Sequence, residues 1–167
     1  MKKLFSALVS LCLLGMLVSA MSVAPTNFAG TWELDKTKSE NWQGPQGSIE
    51  GITWTITQDD KQFTIASKTM AGGQERAQSF SYKLDGSESV VDVQGRVPGK
   101  ATLKAKWMGD GKILELSSVR NLTFQGNEVT ITSKEHLELE GATVLKVHRT
   151  VESPRGTQET KLTFNKK

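Results

Sequence analysis

Three arginines and one tyrosine carry the most suggestive chemistry in this chain. Side chains two residues apart in an extended strand share a face. By that spacing Arg76 falls with Phe80 and Tyr82, Arg120 with Leu114 and Leu116, and Arg149 with Leu145, Val147 and Val151. A guanidinium turned into an apolar interior holds a carboxylate through charge-assisted hydrogen bonds, and Tyr82 adds a phenol beside it. This is binding chemistry, suited to a fatty acid or a similar anion. A competing reading stands next to it: Arg76 and Arg120 lie near strand ends, where a bulge reverses the parity and leaves them in water.

The tryptophans divide in the same manner. Trp54 and Trp107 sit on apolar faces and read first as packing, second as surfaces on which a ligand stacks. Trp42 stands apart, in a stretch with Ser39, Asn41, Gly44, Pro45 and Gly47. It reads as a cap over an opening, as a contact for a protein partner, or as packing.

Other chemistries find no support in the residue pattern. His136 and His148 fall on the polar parity of their strands without carboxylates at ligand spacing, so no metal centre is expected. Asp59-Asp60 and Asp85-Gly86 are turns, lacking the alternating acidic ligands of a calcium loop. No G-x-S-x-G elbow accompanies the serines. We therefore expect no catalytic group and no cofactor. Asn121-Leu122-Thr123 matches the N-glycosylation acceptor, which matters only in a eukaryotic secretory pathway.

The elements that position these side chains are short alternating runs. Ile52, Trp54 and Ile56 alternate with threonines, and Phe80, Tyr82 and Leu84 with Ser79, Ser81 and Lys83. Leu103, Ala105 and Trp107 alternate with Thr102, Lys104 and Lys106. Period two means one buried and one wetted face. Glycine, aspartate and asparagine punctuate the runs at Asp85-Gly86, Gly109-Asp110-Gly111 and Gly126-Asn127, where tight hairpins need positive φ. The spacing predicts strands near 29–35, 51–58, 62–69, 76–84, 88–94, 100–108, 112–120, 127–139, 142–152 and 157–165. Short connections imply antiparallel neighbours in a meander. Such strands stack as two sheets or curl into a barrel, and closure removes the sheet edges. A sandwich needs long crossovers, and the one long irregular stretch, Lys36 to Glu50, is better placed as a loop across a barrel mouth. The expected fold is all-β, an antiparallel meander barrel of about 8–10 strands.

The chain opens with export chemistry. Lys2 and Lys3 precede an apolar run from Leu4 to Val18, and Val18, Ser19 and Ala20 supply the small residues of a cleavage site. The run is shorter than the ~20 residues that span a bilayer. We expect a cleavable signal over 1–20 and one domain over 21–167, with a second candidate cut after Ala24. Cleavage leaves no stable membrane anchor and places the domain in the periplasm or outside the cell. It also removes Cys12, the one cysteine, and with it any disulfide or thiolate ligand. The formal charge of +3 falls to +1 as Lys2 and Lys3 leave. With no clustered basic stripe remaining, nucleic acid is not an expected partner. Lys166 and Lys167 read as a solvated tail.

The segment Asn27-Phe28-Ala29-Gly30-Thr31-Trp32-Glu33-Leu34-Asp35-Lys36-Thr37-Lys38-Ser39 resembles the start of lipocalin-like, or calycin, proteins, whose first strand carries G-x-W. It is more similar still to a bacterial secreted group that opens F-x-G-T-W-x-L-(D/N)-x-x-K-S. Later segments of that group correspond to Trp107-Met108-Gly109-Asp110 and Phe124-Gln125-Gly126-Asn127-Glu128-Val129. The resemblance implies a lipocalin-like β-barrel in which Gly30 and Trp32 close one end and an arginine of a late strand packs over the tryptophan. Arg149 is the residue that fits this role. The chain departs from classical secreted lipocalins in lacking a cysteine pair and a clear C-terminal helix.

Two functions follow as expectations. One is a non-catalytic, extracytoplasmic binding protein for a small apolar or amphipathic molecule, an acidic lipid among them, held by Arg76, Tyr82, Arg120, Trp54, Trp107 and Trp42. The other is a filled barrel that binds a protein through its surface or its Trp42 loop, as a protease inhibitor does. The bulky set Trp54, Phe63, Phe80, Tyr82, Trp107 and Phe164 could fill a narrow barrel outright.

Overall fold

The period-two runs form ten strands. They are β1 (Gly30–Leu34), β2 (Ile49–Gln58), β3 (Gln62–Ala71), β4 (Gln74–Lys83), β5 (Ser89–Val93), β6 (Gly99–Met108), β7 (Ile113–Phe124), β8 (Asn127–Glu140), β9 (Val144–Ser153) and β10 (Gly156–Lys166). The computed structural model describes residues 24–43, 49–93, 98–124 and 126–167; the export segment expected over 1–20 lies outside them. Strand bounds agree with the sequence expectation to within two residues except at the end of β7, which runs on to Phe124.

All pairings are antiparallel, in the order β4-β3-β2-β1-β10-β9-β8-β7-β6-β5. Chain neighbours lie side by side because short turns join them. The β3–β4 turn uses Gly72 and Gly73, both at positive φ (57° and 71°), as a two-residue hairpin requires. The one pairing between sequence-distant strands joins β1 to β10, with Trp32 opposite Lys166 and Leu34 opposite Phe164. It rolls the sheet into a barrel.

The ring is nearly closed. β4 and β5 do not pair. The reason lies in strand length. β5 has five residues and covers only the Gly99–Leu103 part of β6, so the rest of β6 meets β4 without an intervening strand. The free upper edge of β4 carries Gln74, Glu75, Arg76 and Gln78, all exposed, and charged or polar edges discourage pairing with other chains.

One end of the barrel is sealed. Residues Pro25 to Ala29 cross beneath it, tied at Thr26 N–H to Gly111 O (2.8 Å) and at Phe28 N–H to Gln58 Oε1 (3.0 Å). Phe28 is fully buried there, stacked on Trp107 (6.1 Å, 15°) and edge-on to Phe63 (6.1 Å, 90°). Trp32 is also fully buried, and its indole N–H donates to Phe28 O at 2.9 Å. Gly30 holds φ at 147°, where a Cβ would come within 2.8 Å of the Lys166 side chain, so both backbone and space favour glycine.

The cation over Trp32 is Lys166, its Nζ 5.3 Å from the ring centroid, and not Arg149. Register explains the correction. Arg149 pairs with Thr160, six residues along β10 from Lys166, about 20 Å at ~3.4 Å per residue. Parity puts Arg149 on the inner face, but at the other end of the barrel. Nor is the C-terminus a loose tail: Lys167 N–H donates to Thr31 O (2.9 Å), and its ammonium pairs with Glu33 (3.0 Å).

Candidate functional site

Along each strand the inward stripe changes character with height. β3 presents Phe63 and Ile65, both buried, then the less buried Ser67. β7 presents Leu114, Leu116 and Ser118, then Arg120; β9 presents Leu145 and Val147, then Arg149. β8 presents Leu137, then Glu135 and Ser133. The lower half is therefore packed solid, as a barrel filled by side chains is. Above it, small and polar residues do not fill the ring. A cavity of about 240 Å³ remains, with Trp54, Ile65 and Phe80 as apolar wall and Tyr82, Arg120, Glu135 and Arg149 as polar groups. The barrel is half filled and half hollow, between the two alternatives that the sequence left open.

The charges in the hollow are arranged in one pair and one remainder. Arg149 and Glu135 stand opposite each other across β9 and β8, and Arg149 Nε donates to Glu135 Oε1 at 2.8 Å. Arg120 rests over the Phe80 ring at 5.3 Å, a cation–π contact. Among the described residues no carboxylate pairs with Arg120. The lumen lining thus carries a formal excess of one positive charge.

Burial pushes the Tyr82 phenol above its ordinary range, Glu135 adds to the rise, and Arg120 and Arg149 oppose it. Tyr82 is the chain's single tyrosine, so tyrosinate absorbance reports it alone. We expect no ionisation in the folded protein near pH 10, where free tyrosine titrates. Because the folded pKa lies above the unfolded one, this contribution is intact below about pH 10 and is lost as pH rises beyond it. Tyr82→Phe should remove that alkaline decline. Normal titration of Tyr82 in the folded state would contradict its burial.

Not every residue singled out from the sequence enters the cavity. Tyr82, Arg120, Arg149 and Trp54 line it. Trp54 is 3% exposed and stacks on Phe164 at 4.5 Å, so it both packs and forms wall. Trp107 belongs to the sealed end, against Phe28. Arg76 keeps the inward parity but is exposed on the upper edge of β4, beyond the cavity lining. Glu135 was missed, although it shares parity with the buried Leu137 and a carboxylate on an apolar stripe was a visible signal.

Trp42 closes a breach in the wall. β1 has five residues where its neighbours β2 and β10 have ten and eleven, so the upper parts of those two strands have no strand between them. The segment after β1 runs along this opening. Asp35 anchors it: its carboxyl accepts from the Thr37 hydroxyl (2.6 Å) and from Asn165 (3.2 Å), contacts that hold its pKa down to about 2. Glu40 then forms a bridge with Lys161, Glu40 N–H donating to Lys161 O at 2.7 Å. Trp42 follows, half-buried against the core, with Lys36 Nζ 5.9 Å from its ring. Residues 44–48 of the expected mouth loop lie outside the described residues.

The histidines face outward, opposite each other on β8 and β9. Contrary to the sequence reading, each has a carboxylate nearby: His136 Nε2 lies 2.9 Å from Glu115 and His148 Nε2 lies 3.7 Å from Glu159. Among the described residues no group of three such side chains is placed to hold a metal ion.

No protein-family model matches the chain. No curated protein matches it either. Among solved structures, the chain is similar to zebrafish ileal bile acid-binding protein, crystallised in complex with cholic acid. The TM-score is 0.51 and the identity 17%, over 84% of this chain and 98% of that one. A likeness at that identity speaks to fold: the chain is a ten-stranded, nearly closed antiparallel barrel.

Proposed function

We propose that this protein is a non-catalytic carrier of a small amphipathic monoanion, taken into the upper half of its barrel. The observation that carries the reading is Arg120. It is a cation in a partly apolar hollow, and its lumen neighbours Arg149 and Glu135 already neutralise each other. A ligand carboxylate restores charge balance, and hydrogen bonds to charged partners are the strong ones. Tyr82, kept protonated by burial, supplies a further donor. The apolar wall of Trp54, Ile65 and Phe80 takes the ligand's body. Ligand pockets run from roughly 300 to 1,000 Å³, so the cavity suits a short acyl chain or one small ring system.

The cholate of the zebrafish protein is likewise an amphipathic anion, which favours the same class here. The export chemistry of residues 1–20, and the likeness of Phe28–Ser39 to a bacterial secreted group, favour an extracytoplasmic setting. The intact mass of protein taken from its native host would locate the cut after Ala20 or after Ala24.

The test is titration with decanoate, followed by tryptophan fluorescence or calorimetry. Arg120→Ala should weaken binding by about ten- to a hundredfold, the equivalent of ~1.5–3 kcal/mol for a hydrogen bond to a charged group. Arg76→Ala, outside the cavity, should change affinity less than about twofold, since an exposed charge contributes little. Equal effects of the two substitutions, or no decanoate binding by the wild type, would overturn the reading.

A further inference from the structure

Beneath Trp42 lies a second hollow, of about 130 Å³, in the breach between β2 and β10. Arg149 and Val151 line both this hollow and the main cavity, so the two adjoin through the inner face of β9. Their chemistry differs. The main cavity carries the unpaired Arg120. The second hollow has no carboxylate among its described lining residues, and its one cation, Arg149, is already paired with Glu135. Its lining combines Trp42, Ile52 and Leu162 with the half-buried Thr160 and, at the exposed rim, Gln158 and Asn41. Asn41 is held in place by its Nδ2 donating to Glu159 O (3.2 Å), which leaves its side-chain oxygen as an acceptor.

We infer that this hollow is a second subsite, which takes an uncharged, hydrogen-bonding group at the end of the ligand remote from its carboxylate. Neutral amides and hydroxyls discriminate in favour of a hydroxyl or amide and gain nothing from a second charge. An indole face and aliphatic side chains cover the apolar carbons next to it. Arg120 on β7 and Gln158 on β10 stand three strands apart around the ring by sheet order. A ligand held at both ends therefore spans the lumen, and the subsite selects amphipaths that are polar at both ends over simple acids. This assignment rests on the carrier reading for the ligand's charged end, but not for the subsite's own chemistry.

Three probes separate the two: decanoate, its ω-hydroxy analogue, and 1-decanol. The wild type should bind the hydroxy acid roughly three- to tenfold more tightly than decanoate, the gain of one net hydrogen bond. Gln158→Leu should erase that advantage while leaving decanoate affinity in place. The hydroxy acid should also shift the emission that is lost in Trp42→Phe. Equal affinities for the two acids in the wild type, or an advantage that survives in Gln158→Leu, would overturn the subsite. If neither acid binds but decanol does, with loss in Gln158→Leu, the subsite stands and the anion reading falls. If none of the three binds, both fall.

Discussion

Trp32→Ala should lower the unfolding free energy by about 3–5 kcal/mol, the range for truncating a buried aromatic. Trp32 is fully buried: Trp54 stands opposite it on β2, Lys166 on β10, and Phe28 beneath. Truncation opens a void at the sealed end and strips the Phe28 carbonyl of its buried donor. Against a total stability of roughly 5–15 kcal/mol for a domain, that is a large share. Urea unfolding measures it directly. Lys166→Ala, which removes the cation but leaves the indole, should cost only about 0.5–1 kcal/mol. A loss below about 1 kcal/mol for Trp32→Ala would show that the end closes without it.

The second large effect concerns the lumen pair. Arg149→Met leaves the Glu135 carboxylate, 16% exposed, without its counter-ion. Removing one partner of a charged hydrogen bond costs about 2–3 kcal/mol where some water still reaches the site. The double variant Glu135→Leu/Arg149→Met should return to within about 1 kcal/mol of wild type, because apolar replacement of a whole buried pair is often neutral. If Arg149 instead closed the barrel over Trp32, the double variant would be no better than Arg149→Met alone. A double-mutant cycle in urea decides between them.

Much of this molecule was legible in the sequence because its signals are local. Alternation sets which face a side chain takes, and glycine or aspartate marks where the strand turns, so the ten strands emerge from neighbouring residues alone. Parity also placed Tyr82, Arg120 and Arg149 on the inner face. What it does not encode is height along the barrel, which comes from register between strands. Arg149 illustrates the difference: its face was right, and its distance from Trp32 was set by Thr160 and Lys166, residues it never neighbours in sequence. Arg76 fails similarly, keeping inward parity above the level where the lumen ends. Lys166 reads as tail from composition, yet it is the cation over Trp32 because β10 reaches across to β1. The breach at Trp42 depends on β1 being half the length of its neighbours, a comparison visible only once those neighbours are known.

The unpaired seam between β4 and β5 has a consequence for how the chain could be reconnected. β10 ends where β1 begins, with Lys167 N–H donating to Thr31 O at 2.9 Å. A linker from Lys167 to Pro25 would join β10 to β1 and keep the segment that seals the barrel. Opening the chain at Asp85–Glu88 would then cut no ladder, because no strand pairing crosses that seam. In such a circular permutant every strand would pair only with its neighbours in sequence. The long-range closure of β1 on β10 would become local, contact order would drop, and folding should accelerate accordingly. The native chain's ends and its seam sit at different points of one ring, and only the placement of the ends makes its topology non-local.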